Sequence, residues 1–262
     1  MISVDLLRAD LLSDPSIIHG FTTRKGGVSQ GPYASLNLTR SRGDDPAHVA
    51  TNRDRLKQTL NLDHLAFANQ VHGNQVIRVD APPKGEQAVD EGDAMITNHP
   101  GIGLCCQTAD CTPILLFDPV NKAIAAIHSG WRSTVKNIIG ETISAMGKAY
   151  GTKTDDLIAA IGPSISPANY RVGPEVVAEF ETVFGDDTAI LSARDEDGGA
   201  HLDVGAACLH QLIEAGVVPD QIERSALCTY GEPDLLFSAR RSHHQGESGI
   251  FGGQVGVIGL RK

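Results

Sequence analysis

The chain has 262 residues, 41% of them hydrophobic, 21% charged, and a formal net charge of −10. That acidity argues against a nucleic-acid surface, which needs clustered Lys and Arg, although it is compatible with a local anion site. No apolar run approaches the roughly 20 residues of a bilayer-spanning helix, and Met1-Ile2-Ser3-Val4-Asp5 lacks the basic and apolar regions of a secretory leader. One cytoplasmic domain over 1–262 is expected, with no membrane, nucleic-acid or obligate protein partner.

Near the N-terminus, Asp14 to Thr23 leads into the glycine turn Arg24-Lys25-Gly26-Gly27, readable as an ordinary hairpin turn or as a source of free backbone N–H groups. Asp45-Pro46 opens a helix through Leu60, with Val49, Arg53, Leu56 and Leu60 at helical spacing. Ala66 to Gln70 and Val76 to Val79 read as a strand bent at Val71-His72-Gly73-Asn74, followed by a charged loop from Asp80 to Gly92. Gly103 to Thr108 and Ile114 to Phe117 are strand-length apolar runs separated by a polar turn that holds Asp110 and Cys111. Ala123 to Ile127 is a further buried strand and delivers His128 to its end. From Ser133 a helical pattern runs through Val135, Ile138, Ile139, Thr142, Ile143, Met146 and Tyr150 to a stop at Gly151.

Leu157 to Ile161 reads as a strand, Gly162 to Arg171 as a turn-rich connection, and Pro174 opens a helix ended by Gly185. Asp203 can cap a helix over Val204 to Ala215. Strand-like pieces follow at Ala226-Leu227, Leu235–Phe237 and Val255–Leu260, with a basic and polar run from Ser238 to Ser248. Strands and helices are mixed rather than strictly alternating, which favours an α+β class over a regular doubly wound sheet.

Five cysteines, three of them at 105, 106 and 111, make a poor disulfide framework. Cys105 and Cys106 fit a buried strand, and Cys208 and Cys228 fit structural positions. Cys111 differs because it sits on a bend near a strand-end histidine. With His72 it completes a possible metal set, since zinc accepts imidazole and thiolate, and three protein donors with one open position mark catalytic sites. Sequence spacing alone does not distinguish this set from a buried histidine and a core cysteine.

The segments Asn69-Gln70-Val71-His72-Gly73, Asp93-Ala94-Met95-Ile96-Thr97, Thr108-Ala109-Asp110-Cys111-Thr112-Pro113 and His128-Ser129-Gly130-Trp131-Arg132 closely resemble the YfiH-like laccase-domain family. Ser35-Leu36-Asn37-Leu38, Gly43-Asp44-Asp45-Pro46, Ile161-Gly162-Pro163-Ser164-Ile165 and Phe237-Ser238-Ala239-Arg240-Arg241 extend the resemblance over nearly the whole chain. One departure is Ser133, where the family commonly has Gly.

The resemblance implies a four-layer α/β/β/α fold of the YfiH-like cysteine hydrolase type. It also implies a zinc-type site on His72, Cys111 and His128, with copper possible at the same ligands. The activities it implies are purine nucleoside phosphorolysis and adenosine deamination, alongside the older label polyphenol oxidase and the bacterial label peptidoglycan editing factor.

A multicopper oxidase needs several centres with paired His motifs, whereas this chain has 10 His, no His-x-His, and one adjacent pair, His243-His244. For deamination, zinc supplies an activated water against the adenine carbon that bears the amino group. For phosphorolysis, the forked donors of arginine suit phosphate, so Arg24, Arg132, Arg240 and Arg241 are candidates. Asn37 and Gln70 are candidates to orient ribose or purine, and Asp110 to orient a ligand or shape the turn. Three alternatives stay open: a cysteine or zinc hydrolase acting on peptidoglycan precursors with Cys111 as nucleophile and His128 as base, a copper-dependent polyphenol oxidase, and a binding module without turnover.

Overall fold

The structure is a computed structural model that describes residues 4–85 and 88–262. Along the chain come β1 (Leu6–Leu7), β2 (Ile17–Thr22), α1 (Pro46–Leu60), β3 (His64–Phe67), β4 (Val76–Arg78), β5 (Ala94–Thr97), β6 (Ile102–Thr108), β7 (Thr112–Asp118) and β8 (Ala123–Ser129). There follow α2 (Trp131–Val135), α3 (Ile138–Tyr150), β9 (Ile158–Ile161), β10 (Arg171–Val172), α4 (Pro174–Phe184), β11 (Leu191–Ser192) and β12 (Ala200–Leu202). The last elements are α5 (Val204–Glu214), β13 (Ile222–Arg224), α6 (Ala239–His244) and β14 (Gln254–Leu260).

The strands form a five-stranded sheet ordered β1-β2-β14-β6-β3, a six-stranded sheet ordered β13-β9-β7-β8-β5-β4, and a small sheet β10-β12-β11. Most pairings are antiparallel, while β3/β6, β4/β5 and β9/β13 are parallel. This is the mixed architecture expected from the irregular order of strands and helices.

Side chains alternate across a strand with period two, and that alternation sorts the residues into layers. In β7, Leu115 and Phe117 join Ile102, Leu104 and Cys106 of β6 and Ile258 and Leu260 of β14 in a core between the two large sheets. Ile114 and Leu116 face the other way, into a core with Ile139 and Met146 of α3, Phe180 of α4 and Cys208 and Leu212 of α5. On the far side of the five-stranded sheet, Cys105, Val255 and Val257 pack with Leu56 and Leu60 of α1. Helices therefore cover the outer face of each large sheet. Cys105, Cys106 and Cys208 are buried in these cores.

Four expectations need correction. The strand bent at Val71-His72-Gly73-Asn74 is instead two strands, β3 and β4, in different large sheets. The pattern from Ser133 to Gly151 is two helices rather than one, because Asn137 adopts a left-handed conformation (φ 57°) and its side chain caps α3 through the Gly140 N–H. The strand near Ala226 is displaced to Ile222–Arg224, and Leu235–Phe237 is irregular. Phe237 is apolar because it packs against Ala109 and Phe251 rather than because it pairs in a sheet. The basic run after Ser238 folds as α6, with the Ser238 hydroxyl accepting from the Arg241 N–H.

Candidate functional site

Two connections carry the chain from the five-stranded to the six-stranded sheet: β3 to β4, which holds His72, and β6 to β7, which holds Cys111. Both crossings need sharp backbone turns. His72 (φ 59°) and Asp110 (φ 105°) accordingly lie at positive φ, where L-residues are uncommon. The start of β7 pairs with the end of β8, Thr112 opposite Ser129 and Pro113 opposite His128. His128 has the same parity as Ile124 and Ala126, so it points between the sheets toward the two crossings. The sheet crossings and the strand end thus converge on one place.

The ligand atoms of His72, Cys111 and His128 lie within 4.8 Å of one another. Cys111 Sγ is 3.8 Å from His72 Nε2, and the two imidazole rings meet edge to face with centroids 4.9 Å apart. His128 is buried and His72 and Cys111 are half-buried, and all three line one cleft. Gly130 closes the wall. A Cβ there would sit 2.8 Å from His72 Cδ2 and 3.1 Å from Cys111 Sγ, so the glycine keeps side-chain atoms out of the cluster.

Asp93, immediately before β5, organises the cluster. Its Oδ1 lies 2.8 Å from His128 Nδ1 and accepts from the His72 N–H at 3.0 Å. Its Oδ2 accepts from the Gly73 N–H at 2.7 Å and the Val71 N–H at 3.2 Å. Burial pushes this carboxyl upward, but the bonds from His128, Gly73 and Val71 outweigh burial and hold it below the usual carboxylate range. With Nδ1 held by Asp93, His128 presents Nε2 to the cluster, the arrangement found where a carboxylate orients a metal-binding histidine.

Burial alone would raise the Cys111 thiol. The His128 and His72 imidazoles reverse that effect and bring it down to about 6. Burial likewise disfavours the charged form of His128, yet Cys111 and Asp93 raise it to about 9. Both shifts run in the direction that favours a Cys111 thiolate beside a charged His128 in the metal-free cluster. Two imidazole nitrogens and a thiolate fit a divalent transition metal, since zinc takes such donors at roughly 2.0 to 2.3 Å and three donors leave a fourth position for another ligand.

The remaining sequence candidates are dispersed. Gln70 lines the cleft, with both ends of its amide bonded to the Gln107 backbone at 2.8 and 2.7 Å. Arg132 is exposed and rests on Trp131, and Arg240 stacks 4.9 Å from the Tyr170 ring. Both arginines and Cys111 lie within electrostatic reach of Tyr170. Asn37 is fully buried, bonded to Thr39, Asp44 and Gly253. Arg24 donates to the carbonyls of Ala34 and Pro233. Arg241 donates to those of Thr229, Tyr230 and Leu236. These three tie loops together. Asp110 accepts from the Thr229 hydroxyl and the Arg240 N–H and so shapes the turn before Cys111. The glycine turn offers no spare donors at Arg24, Lys25 or Gly27, whose N–H groups bond to Leu235, Thr23 and Ser35.

Sequence reasoning quoted Asp93 without giving it a role and missed Arg42, Gln107, Thr39, Ser41 and Thr108, which line the cleft. A buried acid next to a strand start was the available signal for Asp93. For Arg42 none existed, because a surface arginine before a Gly-Asp turn reads as solvated.

The family model described as multi-copper polyphenol oxidoreductase laccase matches residues 18–261. Purine nucleoside phosphorylase of Deinococcus radiodurans is 43% identical over 257 residues, covering 97% of this chain and 92% of the relative. Purine nucleoside phosphorylase of Bacteroides thetaiotaomicron is 39% identical over 239 residues, 88% of each chain. The crystal structure of the hypothetical protein YfiH from Bacillus licheniformis superposes with a TM-score of 0.86 at 29% identity, covering 95% of this chain and 98% of that one.

Proposed function

The chain belongs to the YfiH-like family described as multi-copper polyphenol oxidoreductase laccase, and from that membership and the site we propose that it is a purine nucleoside phosphorylase holding one zinc ion on His72, Cys111 and His128. The observation that carries the reading is the convergence of these three donors within 4.8 Å, with Asp93 bonded to the back of His128. Relatives at 43% and 39% identity bear the phosphorylase name. Zinc is preferred to copper because one His₂Cys cluster with an open position suits a Lewis acid, and the described residues bring together a single such cluster rather than the several a multicopper oxidase uses. We assign one domain over 1–262, four layers in the order α/β/β/α, and a cytoplasmic location.

In phosphorolysis an oxygen of hydrogen phosphate bonds to the anomeric carbon as the bond from that carbon to the purine nitrogen breaks, and the purine leaves with the proton that the hydrogen phosphate gives up. Zinc, when bound, supplies Lewis acidity and lowers the pKa of a coordinated water. The protein's part is placement. Asp93 fixes the His128 ring and tautomer, Gly130 keeps the cluster clear, and Cys111 contributes its thiolate at neutral pH. Tyr170, Arg132 and Arg240, beyond Cys111, contact the nucleoside, while Gln70 holds the Gln107 backbone at the cleft. Adenosine deamination is assigned to the same centre.

The low thiol pKa beside a charged His128 favours a second reading, a metal-free cysteine hydrolase with Cys111 as nucleophile. Incubation with inosine or adenosine, with and without phosphate, separates the two. Phosphate-dependent release of base and ribose 1-phosphate, abolished by His128→Ala and by chelation, supports the phosphorylase. Phosphate-independent, chelator-resistant hydrolysis supports the alternative.

A further inference from the structure

The cleft beside the cluster holds two buried polar atoms with no hydrogen-bond partner among the described residues, Arg42 Nε and Thr108 Oγ1. Thr108 is only 4% exposed. Orphaned polar atoms in a folded interior are uncommon and call for an account, commonly a ligand or water that completes them. Here both belong to one cleft, whose other lining residues include Thr39, Ser41, His72, Cys111 and His128.

Arg42 is held in place without its Nε being used. Its guanidinium stacks 4.0 Å over the Phe251 ring, and its carbonyl accepts from the Tyr33 hydroxyl at 2.5 Å. Other arginines nearby in sequence, Arg24, Arg53 and Arg55, commit their guanidinium groups to backbone carbonyls. A planar cation stacked on an aromatic face and walled by hydroxyl donors is the recognition set for a tetrahedral oxyanion. Size points the same way: the cleft measures about 110 Å³, below the roughly 300 to 1,000 Å³ of pockets that enclose drug-sized ligands. It suits an anion next to the cluster, with a nucleoside lying outside toward Tyr170 and Arg240.

We infer that Arg42 and Thr108, flanked by Thr39 and Ser41, form the subsite for the phosphate group that meets the substrate at the His72/Cys111/His128 centre, and that its occupant is inorganic phosphate. The occupant rests on the phosphorylase reading; a phosphate ester carried by the substrate would present the same oxyanion. Inorganic phosphate thus enters from the Arg42 side and the nucleoside from the Tyr170 side.

The test is calorimetric titration of inorganic phosphate, and separately of inosine 5′-monophosphate, into the metal-loaded protein and its Arg42→Ala, Arg42→Lys and Thr108→Val variants. Steady-state phosphate and inosine KM values are measured alongside. Phosphate affinity is expected to fall roughly 10- to 100-fold in Arg42→Ala and less in the other two, as charge-assisted and neutral hydrogen bonds predict, with the inosine KM changed by less than about threefold. If Arg42→Ala loses its fold by circular dichroism, Arg42→Lys and Thr108→Val decide. Unchanged phosphate affinity in the folded variants, or no phosphate binding to the unsubstituted protein, overturns the subsite. A loss confined to inosine monophosphate overturns the occupant. Phosphate bound through Arg42 with no phosphorolysis of any purine nucleoside would refute the phosphorylase reading and leave the oxyanion subsite standing; phosphorolysis with an unaltered phosphate KM in Arg42→Ala would do the reverse.

Discussion

Replacing Asp93 with Asn tests how the cluster is built, because the substitution keeps size and removes charge. Asp93 accepts four bonds, two on each oxygen: His128 Nδ1 (2.8 Å) and the His72 N–H (3.0 Å) at Oδ1, the Gly73 (2.7 Å) and Val71 (3.2 Å) N–H groups at Oδ2. An Asn that keeps its oxygen toward His128 must turn its NH₂ toward two N–H donors. The reverse orientation sets the NH₂ against His128 and the His72 N–H. Either way two bonds to a buried carboxylate are lost, each worth about 1.5 to 3 kcal/mol, and the partners are left partly unsatisfied. Allowing for side-chain rotation and water entry, a loss of about 3 kcal/mol is expected. The 71–73 turn, with His72 at φ 59°, also loses the anion that holds it. Zinc affinity should fall roughly 10- to 100-fold, the range for losing the group that orients a metal-binding histidine. Urea denaturation of the metal-free protein gives the first number and chelator competition the second. An Asp93→Asn variant within about 0.5 kcal/mol of the parent and equal in zinc affinity would refute this role for Asp93.

Other outcomes follow from the same geometry. Gly130→Ala is acceptable to the backbone (φ −84°) but drives a methyl against His72 and Cys111, so the helical circular-dichroism signal should persist while zinc affinity drops at least about tenfold; equal affinity would show that the wall is not tight. In metal-free protein, Cys111 is lowered to about 6 and His128 raised to about 9. The Cys111 contribution to stability, complete above the ordinary thiol range, is lost as pH falls through about 6. That of His128, complete below about 6.5, is lost as pH rises through about 9. Ultraviolet thiolate absorbance should therefore appear with a midpoint near pH 6 and move upward in His128→Ala, whereas a parent midpoint near 9 would contradict the pairing. Arg241→Ala removes three donors to carbonyls around a half-buried side chain and should cost about 2 kcal/mol, seen as a melting temperature lower by roughly 4 to 8 °C. An unchanged melting temperature would free Arg241 for another role.

The metal-type donors were the most legible part of the sequence. Strand-length apolar runs bounded by turn formers put Cys111 and His128 at neighbouring strand ends, and β6, β7 and β8 lie where those runs fall. The helices over Pro46–Leu60, Pro174–Phe184 and Val204–Glu214 follow their capping residues and apolar spacing. Other features needed the third dimension. Asn137 breaks a helical pattern through a left-handed conformation that periodicity does not register. The small sheet of β10, β11 and β12 has strands of two or three residues, too short for an alternating pattern. Arginines look alike in a sequence, yet Arg24 and Arg241 bond carbonyls while Arg42, which lines the same cleft as Cys111, leaves a buried nitrogen unpaired. What separates them is the set of acceptors within reach, which chain-distant segments determine. Asp93 was legible as a motif member, but its role depends on four donors brought together by two sheets.

Cobalt substitution tests the metal centre most directly, because a thiolate bound to cobalt gives a charge-transfer band that imidazole and water do not. Full-length protein titrated with cobalt is predicted to develop that band to an end point of about one equivalent, with tetrahedral d–d absorption. Cys111→Ser should lose the band, and His72→Ala and His128→Ala should weaken binding. An undiminished band in Cys111→Ser, or no thiolate band at any cobalt concentration, would contradict the assignment of His72, Cys111 and His128 to one ion.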